Sequence, residues 1–250
     1  MIKFNEYMDI VEFINNLHES FHADFLDFLY ESNEEEGEAL VERKLPSGNT
    51  KNQPWSKVLP KEVPANEVEK KTPEIYNTII DDFVNPVKAE YERILKTCAE
   101  KDCKVLVSIK SLKSFISKLK RGKKVSGITD VIRGAILCPN DESVQKVLRN
   151  LKKKAVVAEL ELKHRGENEW GYWGANHLLL ELSNGVLAEV QVMTKTAWTY
   201  KDAAHQIYDK YREALAKDKS LLNDPVIQKE IKRSKMLFDR GFMGNKGIRV

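Results

Sequence analysis

Apolar residues recur at helical spacing near the start of the chain, and this spacing predicts an amphipathic helix over residues 7–30. The residues of this stripe are Ile10, Phe13, Ile14, Leu17, Phe21, Phe25, Phe28 and Leu29. Residues 38–71 contain four prolines and little periodicity, which predicts a long irregular connection with Trp55 as its candidate anchor. Thr72 and Pro73 are typical of a helix start, and that helix is expected to reach Glu100 with a kink or break at Pro86.

From Lys104 onwards the pattern changes to short apolar runs that alternate with helical segments. Strands are predicted at 104–109, 130–138, 155–163, 176–182 and 186–193, and helices at 111–121, 141–153, 195–217 and 225–240. This order indicates an α/β (α+β) fold with a mixed β-sheet flanked by helices. We predict three parts: an N-terminal helical extension with a Pro-rich connection (1–100), a core (101–217), and a C-terminal helix and tail (218–250).

The dipeptide Asn184-Gly185 separates two predicted strands and favours a β-hairpin with a two-residue type I′ turn. Side chains alternate between the two faces of a strand, so the turn fixes which residues share a face. The register predicts Asn176 on the same face as Glu189 and His177 on the opposite face.

Charge is distributed unevenly along the chain, although the net charge is only +3. Residues 31–44 carry six acidic and two basic side chains, whereas residues 101–124 carry nine basic side chains and one acidic side chain. A second basic cluster consists of Lys146, Arg149, Lys152, Lys153 and Lys154. Such clusters are either solvated helix faces or patches that bind phosphates or RNA, and composition alone favours neither.

The composition leads us to expect a cytoplasmic protein. The chain has no run of about 18 apolar residues, and its acidic N-terminus lacks the basic and then apolar layout of a signal peptide. Cys98, Cys103 and Cys138 are odd in number and show no C-x-x-C spacing, so neither a disulfide framework nor a zinc site is indicated.

Short motifs follow one another in a recognisable order between Val105 and Arg212. They are Lys110-Ser111-x-x-Ser114-x-x-x-Lys118, Asp130, Gly171-Tyr172, Glu189-Val-Gln191-Val-Met-Thr194, and His205 with Tyr208. The ordered set resembles the RelA/SpoT-type (p)ppGpp synthetase domain family. The resemblance implies a nucleotidyltransferase-like fold and alarmone synthesis, in which the β,γ-pyrophosphate of ATP moves to the 3′-hydroxyl of a guanine nucleotide and AMP is released.

Asp130 and Glu189 are the candidate catalytic carboxylates and metal ligands. Pyrophosphate transfer requires a metal ion to neutralise phosphate charge, cations to hold the phosphates and a base near the attacking hydroxyl. Asp130 begins an apolar strand, where a carboxylate suits Mg²⁺, and Glu189 lies in an apolar run where an unpaired charge would be costly. The resemblance assigns both to the Mg²⁺ site and Glu189 to the attacking hydroxyl. The alternatives are a strand cap and a solvent-facing edge residue.

Lys110, Ser114 and Lys118 share one face at a predicted helix start, where they can bind phosphate oxygens, and they match the ATP-binding stretch of the family. Two departures from the family pattern concern arginines. Ser108 stands where the family has an arginine, and the family pattern D-x-x-G-x-R has its arginine at position 135, whereas this chain has Arg133. Positions 133 and 135 share strand parity, so Arg133 is expected to bind phosphate.

The resemblance assigns Tyr172 to stacking on the acceptor base, for which an exposed flat ring suffices. The family has an arginine after this tyrosine and a histidine four residues beyond it, where this chain has Trp173 and Asn176. Further candidate acceptor-binding residues are Asn176, Gln191, Lys201, His205 and Tyr208. The last three lie on a predicted helical stripe with Trp198 and Arg212, whose alternative role is packing at the boundary of the core.

The sequence therefore predicts a magnesium-dependent nucleotide pyrophosphokinase that binds ATP and an acceptor nucleotide. Two alternatives stay open. One is a toxin-like enzyme that pyrophosphorylates the 3′ end of tRNA, with the basic clusters holding the RNA. The other is a degenerate protein that binds nucleotide or RNA without catalysis. An antitoxin partner or a homo-oligomer is compatible with each.

Overall fold

The computed structural model describes residues 52–162 and 168–243. The chain divides into two units, Met1–Glu42 and Arg43–Val250, and all the described residues lie in the second unit. The helix predicted over residues 7–30 lies outside the described residues, and the domain boundary predicted at residues 100 and 101 stays a prediction. Within 52–162 and 168–243, no helix is both long and apolar enough to cross a bilayer.

The helical segment before the sheet begins earlier than predicted. Helix α1 spans Val68–Thr78, so Thr72 is a buried residue inside the helix and not its N-cap. The reason is packing: Val68, Thr72 and Ile75 are buried at helical spacing, and this stripe extends the helix through Pro73.

A break at Pro86 is confirmed. A π-helical segment, Ile79–Val84, follows α1, and helix α2, Asn85–Cys98, begins immediately before Pro86. Proline has no N–H to donate within a helix, and here the wider i→i+5 turn precedes it, with the Asn85 N–H bonded to the Ile80 carbonyl.

Five strands form one mixed sheet, as predicted. In chain order they are β1 (Lys104–Ile109), β2 (Ile132–Cys138), β3 (Val156–Leu162), β4 (Asn176–Glu181) and β5 (Leu187–Thr194). Their order across the sheet is β1-β2-β5-β4-β3. Strands β2 and β5 are parallel, and every other neighbouring pair is antiparallel.

The remaining helices are α3 (Leu112–Lys120), α4 (Asp141–Lys154), α5 (Lys195–Lys217) and α6 (Pro225–Met243). Helix α2 packs on the face of the sheet that carries Gly134, where Leu95 and Tyr91 approach the strand. Helix α5 packs on the other face, where Ala197 joins a buried cluster with Ala135 and Met193.

Strands β4 and β5 form the predicted hairpin, but its register differs from the prediction by one residue. Leu182, and not Ser183, lies opposite Val186, because the Leu182 N–H donates to the Val186 carbonyl at 2.9 Å. The Gly185 N–H donates to the Leu182 carbonyl at 2.8 Å, and Gly185 has a φ of +81°. The connection is therefore a three-residue loop that ends on a left-handed glycine, and the predicted two-residue turn is wrong.

A shift of one residue moves every side chain of a strand to the other face. His177 pairs with Gln191 across the hairpin, so His177 shares the face of Glu189. Asn176 pairs with Val192 and donates its side-chain amide to the Val192 carbonyl at 3.0 Å. The prediction that Asn176 lies beside Glu189 is therefore wrong, and His177 takes that place.

The irregular segment before α1 is anchored by Trp55, as predicted. Trp55 is fully buried, its indole N–H donates to the Val125 carbonyl at 3.1 Å, and its ring meets Phe83 edge-on with centroids 5.8 Å apart. Gln53, two residues earlier, is also fully buried.

Candidate active site

Asp130 lies in the turn before β2, where two lysines bind its carboxylate. Lys110 Nζ is 2.9 Å and Lys118 Nζ is 2.8 Å from Asp130 Oδ2. Lys110 directly follows β1, and its backbone N–H donates to the Val131 carbonyl at 2.8 Å. Lys118 comes from α3. Two predicted ATP-binding lysines therefore contact the predicted metal-binding aspartate.

This ion cluster is largely removed from water, since Lys110 is 5% and Asp130 is 7% exposed. Burial acts to raise the pKa of Asp130, but the two lysines outweigh it and hold the pKa below its ordinary value. Burial lowers the pKa of Lys110, and the charge of Asp130 opposes that shift. Asp130 Oδ1 is buried and accepts no hydrogen bond from the described part of the chain.

Ser114 lies in the first turn of α3, on the same side as Lys118. Helix α3 is capped by Ser111, whose hydroxyl accepts a hydrogen bond from the Ser114 N–H at 3.3 Å and lies 3.1 Å from the Ser114 hydroxyl. The start of a helix is a favourable place for a phosphate, and Lys110 comes directly before this one.

Glu189 on β5 is oriented by two side chains of the same sheet face. Gln191 Nε2 donates to Glu189 Oε1 at 2.7 Å, and His177 Nδ1 lies 3.8 Å from the same oxygen. The Tyr172 hydroxyl is hydrogen-bonded to His177 Nε2. These contacts place Tyr172, His177 and Glu189 in one row on this face of the sheet.

The Tyr172 ring is half-buried and is packed between two other rings. Its ring meets His177 and Phe238 edge-on, with centroids 5.6 Å and 5.2 Å apart. Burial, with the charges of Glu189 and Glu161, raises the pKa of Tyr172, so the hydroxyl stays protonated and remains a donor.

The backbone of Glu189 is held from the opposite side of the sheet. Tyr91 of α2 is fully buried, and its hydroxyl donates to the Glu189 carbonyl at 2.5 Å. A Cβ on Gly134 would lie 2.7 Å from the Tyr91 hydroxyl and 2.4 Å from Leu95 Cδ1, so only glycine leaves room for this contact. Tyr76 of α1 makes a similar contact with the Lys110 carbonyl at 2.5 Å.

Lys201 and His205 of α5 complete the site. Burial lowers the pKa of Lys201 to about 8, against the raising effect of Glu189, and its ammonium lies 4.1 Å from the centre of the Trp198 ring. His205 Nδ1 lies 3.2 Å from Asp209 Oδ2. The charge of Arg133 contributes to lowering the pKa of both residues, so Lys201 and His205 lie on the same side of the sheet as Arg133.

Tyr208, although on the same helical stripe, packs in the core between α5 and α6. Its ring meets the buried Trp170 edge-on with centroids 5.4 Å apart, and Trp170 also stacks on Tyr211 at 6.0 Å. On its other side the Tyr208 ring meets His205 edge-on, with centroids 6.1 Å apart, and its role in binding the acceptor stays a prediction.

No protein-family model and no curated protein sequence matches this chain. Among solved structures, the small alarmone synthetase 1 of Bacillus subtilis bound to its product pppGpp superposes with a TM-score of 0.52, at 18% identity, over 71% of this chain and 94% of that chain. This chain has the RelA/SpoT-type synthetase fold.

Two further structures with the synthetase fold are similar to this chain. Small alarmone synthetase 2 of Bacillus subtilis aligns at 17% identity over 72% of this chain and 95% of its own, with a TM-score of 0.47. A GTP pyrophosphokinase family protein of Streptococcus pneumoniae aligns at 16% identity over 74% of this chain and 92% of its own, with a TM-score of 0.46.

On this synthetase fold, the two arginine departures converge on one place. Ser108 and Arg133 are direct cross-strand neighbours, and Arg133 Nε donates to the Ser108 hydroxyl at 3.3 Å. Ala135, at the position of the family arginine, is buried in the cluster with Met193 and Ala197, where an arginine would not fit. Arg133, near the exposed start of β2, is therefore the arginine that this strand offers in place of the family arginine at position 135.

Trp173 lies where the family has its other arginine, and it belongs to the core. It is 4% exposed, its indole N–H donates to Asp239 Oδ1 at 3.2 Å, and its ring lies 5.1 Å from that of Phe242. Trp173 thus packs against α6.

The carboxylates fit a magnesium ion of the kind that substrate phosphates help to bind. Mg²⁺ commonly takes one or two protein carboxylates and completes its octahedron with phosphate oxygens and water. Asp130 offers a buried oxygen without a hydrogen bond, and Glu189 lies on a nearby strand. In the described ranges, no group of three or more His, Cys, Asp or Glu residues forms a metal cage of its own.

Proposed function

We propose that this protein is a magnesium-dependent pyrophosphokinase that transfers the β,γ-pyrophosphate of ATP to the 3′-hydroxyl of a nucleotide, with a guanine nucleotide as the favoured acceptor. The observation that supports this most is the clustering of Lys110 and Lys118 on Asp130, with Arg133 and Glu189 as direct neighbours on β2 and β5. The synthetase of Bacillus subtilis with this fold is bound to pppGpp, which supports the same acceptor.

Lys110, Lys118 and Arg133 bind the triphosphate of ATP. Charge-assisted hydrogen bonds from ammonium and guanidinium groups to phosphate are short and strong, and they are strongest where water is excluded. Because Lys110 and Lys118 both contact Asp130 Oδ2, ATP exchanges carboxylate contacts for phosphate contacts and thereby frees Asp130. Ser114 adds a hydroxyl and a helix start on the same side.

Asp130 and Glu189 would hold Mg²⁺, which when bound neutralises charge on the phosphates of ATP. Glu189 accepts the proton of the 3′-hydroxyl as the 3′-oxygen forms its bond to the β-phosphorus. The bond between the β-phosphorus and the oxygen that bridges to the α-phosphate breaks, and AMP leaves. Gln191 and His177 keep the Glu189 carboxylate aimed at the hydroxyl.

The acceptor lies between Tyr172 and α5. The Tyr172 ring stacks on the base, and Lys201 and His205 bind the acceptor phosphates. Stacking of a base on an aromatic side chain is worth about 1–3 kcal/mol, so one well-held ring suffices for a mononucleotide.

The direct test is a reaction with γ-labelled ATP and Mg²⁺, with GDP, GTP, adenine nucleotides or tRNA in separate tubes and the Glu189→Gln variant as the inactive control. We expect label on GDP or GTP. Label on adenine nucleotides or on tRNA alone would reject the guanine acceptor, and the absence of label from every acceptor would reject the proposed reaction.

Salt dependence separates a mononucleotide acceptor from tRNA. Binding a polyanion weakens by about 0.7–0.9 log units per log unit of salt for each phosphate contacted. Charge reversal at Lys123, Lys124, Lys152 and Lys153 would cripple transfer to tRNA, whereas we expect transfer to GDP or GTP to stay within about threefold of the parent at physiological salt.

A further inference from the structure

Gln53 lies between the loop that leads to Asp130 and the strand that carries Glu189. The residue is fully buried. Its amide nitrogen donates to the Leu187 carbonyl at 2.8 Å and to the Ile128 carbonyl at 3.3 Å, and its amide oxygen accepts the Leu187 N–H at 3.0 Å. One side chain thus joins the backbones of two segments that are far apart in sequence.

The amide of Gln53 takes the place of a missing strand partner. Strand β5 begins at Leu187, but its pairing with β2 begins only at Glu189, opposite Arg133. The Leu187 N–H and carbonyl would be left without a partner on that side. A primary amide has two N–H donors and an acceptor oxygen. One N–H and the oxygen bind Leu187 as a peptide group would, so Gln53 extends the hydrogen-bond ladder before the start of β2.

The two contacts of Gln53 lie close to the two carboxylates. Ile128 precedes Asp130 by two residues, and Leu187 precedes Glu189 by two residues. Leu187 and Glu189 lie on one strand about 6–7 Å apart, and Ile128 enters the turn that holds Asp130, so each contact of Gln53 is made within two residues of a carboxylate.

Neighbouring residues hold only the loop side of this bridge. The Gln53 N–H donates to the Ser126 carbonyl at 2.9 Å, Trp55 donates to the Val125 carbonyl at 3.1 Å, and the Val125 N–H donates to the Lys61 carbonyl at 3.0 Å. The Gln53 side chain, in contrast, binds both the loop and β5.

We propose that Gln53 is a positioning residue that fixes the separation of Asp130 and Glu189 and so sets the metal site of the proposed reaction. This role of Gln53 rests on the proposed function, because it is the proposed reaction that uses the metal. A metal bound by two carboxylates from different segments needs those segments at a set distance, and groups behind metal ligands commonly change metal affinity or activity by about 10–100-fold.

The test compares two variants at Gln53 with a control in the same segment. Gln53→Met keeps the length of the side chain and removes its hydrogen bonds. Gln53→Glu keeps an acceptor for the Leu187 N–H but turns an oxygen towards the two carbonyls. Trp55→Phe is the control, because it removes a buried hydrogen bond to the same loop and leaves the β5 contact in place. Circular dichroism and thermal unfolding define the folded fraction of each protein.

We expect Gln53→Met to lower kcat by about 10²-fold with a much smaller change in the KM for ATP, because misplacement of about 1 Å has an effect of that size. Binding of Mn²⁺ in the presence of α,β-methylene ATP, followed by electron paramagnetic resonance, should weaken about tenfold. Gln53→Glu should be at least as impaired. Trp55→Phe should lose thermal stability but keep its kcat and its Mn²⁺ affinity per folded molecule.

Two results would overturn the inference. One is unchanged Mn²⁺ affinity in Gln53→Met. The other is an equal loss of kcat in Trp55→Phe and Gln53→Met at equal folded fraction, which would indicate a structural role alone. Because the Mn²⁺ titration needs no turnover, lack of transfer by the wild-type protein refutes only the proposed function.

Discussion

Tyr91→Phe removes one oxygen atom and tests whether the backbone contact behind Glu189 contributes to activity. The Tyr91 hydroxyl donates to the Glu189 carbonyl at 2.5 Å, and no other part of the side chain changes in the variant. The phenyl ring remains in its fully buried position.

The size of the effect follows from the Glu189 carbonyl, which loses the hydrogen bond from Tyr91. A buried acceptor left without a hydrogen bond costs about 1–3 kcal/mol, so the variant should lose about 1–3 kcal/mol of folding free energy. For a domain of this size that lowers the Tm by about 2–12 °C, and a protein with about 5–15 kcal/mol of stability stays folded at 25 °C. Relaxation of the strand at Glu189 should lower kcat by about 10–100-fold.

Steady-state kinetics with varied ATP and saturating acceptor measure this effect, and Tyr76→Phe is the matched variant. Tyr76 donates to the Lys110 carbonyl in the same way, so its loss should raise the KM for ATP more than it lowers kcat. Tyr91→Phe should lower kcat more than it raises the KM for ATP, since it disturbs Glu189 and leaves Lys110 and Lys118 in place.

A Tyr91→Phe enzyme that loses the expected thermal stability but keeps its kcat within about twofold would refute the reasoning, because the contact would then serve the fold alone. An equal division of the effect between kcat and KM in both tyrosine variants would also contradict it.

Further predictions concern the charged groups. Glu189→Gln should abolish transfer with little loss of stability, whereas Asp130→Asn should abolish transfer and also cost about 3–5 kcal/mol of stability in thermal or urea unfolding, since it leaves buried lysine charge unpaired. His177→Ala should lower kcat at least tenfold, a loss of about 1.4 kcal/mol in transition-state stabilisation, and Asn176→Ala should not; the same kinetic assay compares them. Because the pKa of Lys201 is lowered to about 8, its charge is present below that pH and lost above it, so the KM for the acceptor should rise as the pH passes 8, and Lys201→Met should flatten this profile.

Much of the fold could be predicted from the periodicity of apolar residues. All five strands lie where the short apolar runs predicted them, and α5 has the predicted bounds. The motif order indicated that Lys110, Lys118 and Asp130 belong to one site, and in the structure both lysines contact Asp130. These features are local, because a strand or a helix start is encoded within a few consecutive residues.

The hairpin register could not be predicted, because Asn-Gly suits both a two-residue turn and a three-residue loop ending on a left-handed glycine. Long-range contacts select the three-residue loop here. Ser183 binds the Glu90 carboxylate through its N–H at 3.0 Å, and the Asn184 side chain donates to the Phe83 carbonyl at 2.8 Å. Both partners lie on the helical segment before the sheet.

Gln53 and Tyr91 could not be predicted for the same reason. Gln53 lies in a segment without periodicity, and its partner Leu187 is 134 residues away in sequence. Tyr91 reads as an ordinary core position of an amphipathic helix, because nothing in the local pattern indicates that its hydroxyl meets the backbone of Glu189.

The parallel pairing of β2 with β5 has a consequence for the time at which the site forms. Strands β1 and β2, which bracket Lys110 and Asp130, are close in sequence, and β4 and β5 form a short hairpin. The contact between β2 and β5 spans the greatest chain length of any strand pair in the sheet, and contacts of long sequence separation are the slow ones in folding. A chain still on the ribosome, with β5 not yet released, holds its lysines and Asp130 but lacks Glu189. The proposed transfer would therefore begin only after β5 has emerged and docked, and a translation product truncated before β5 should be inactive.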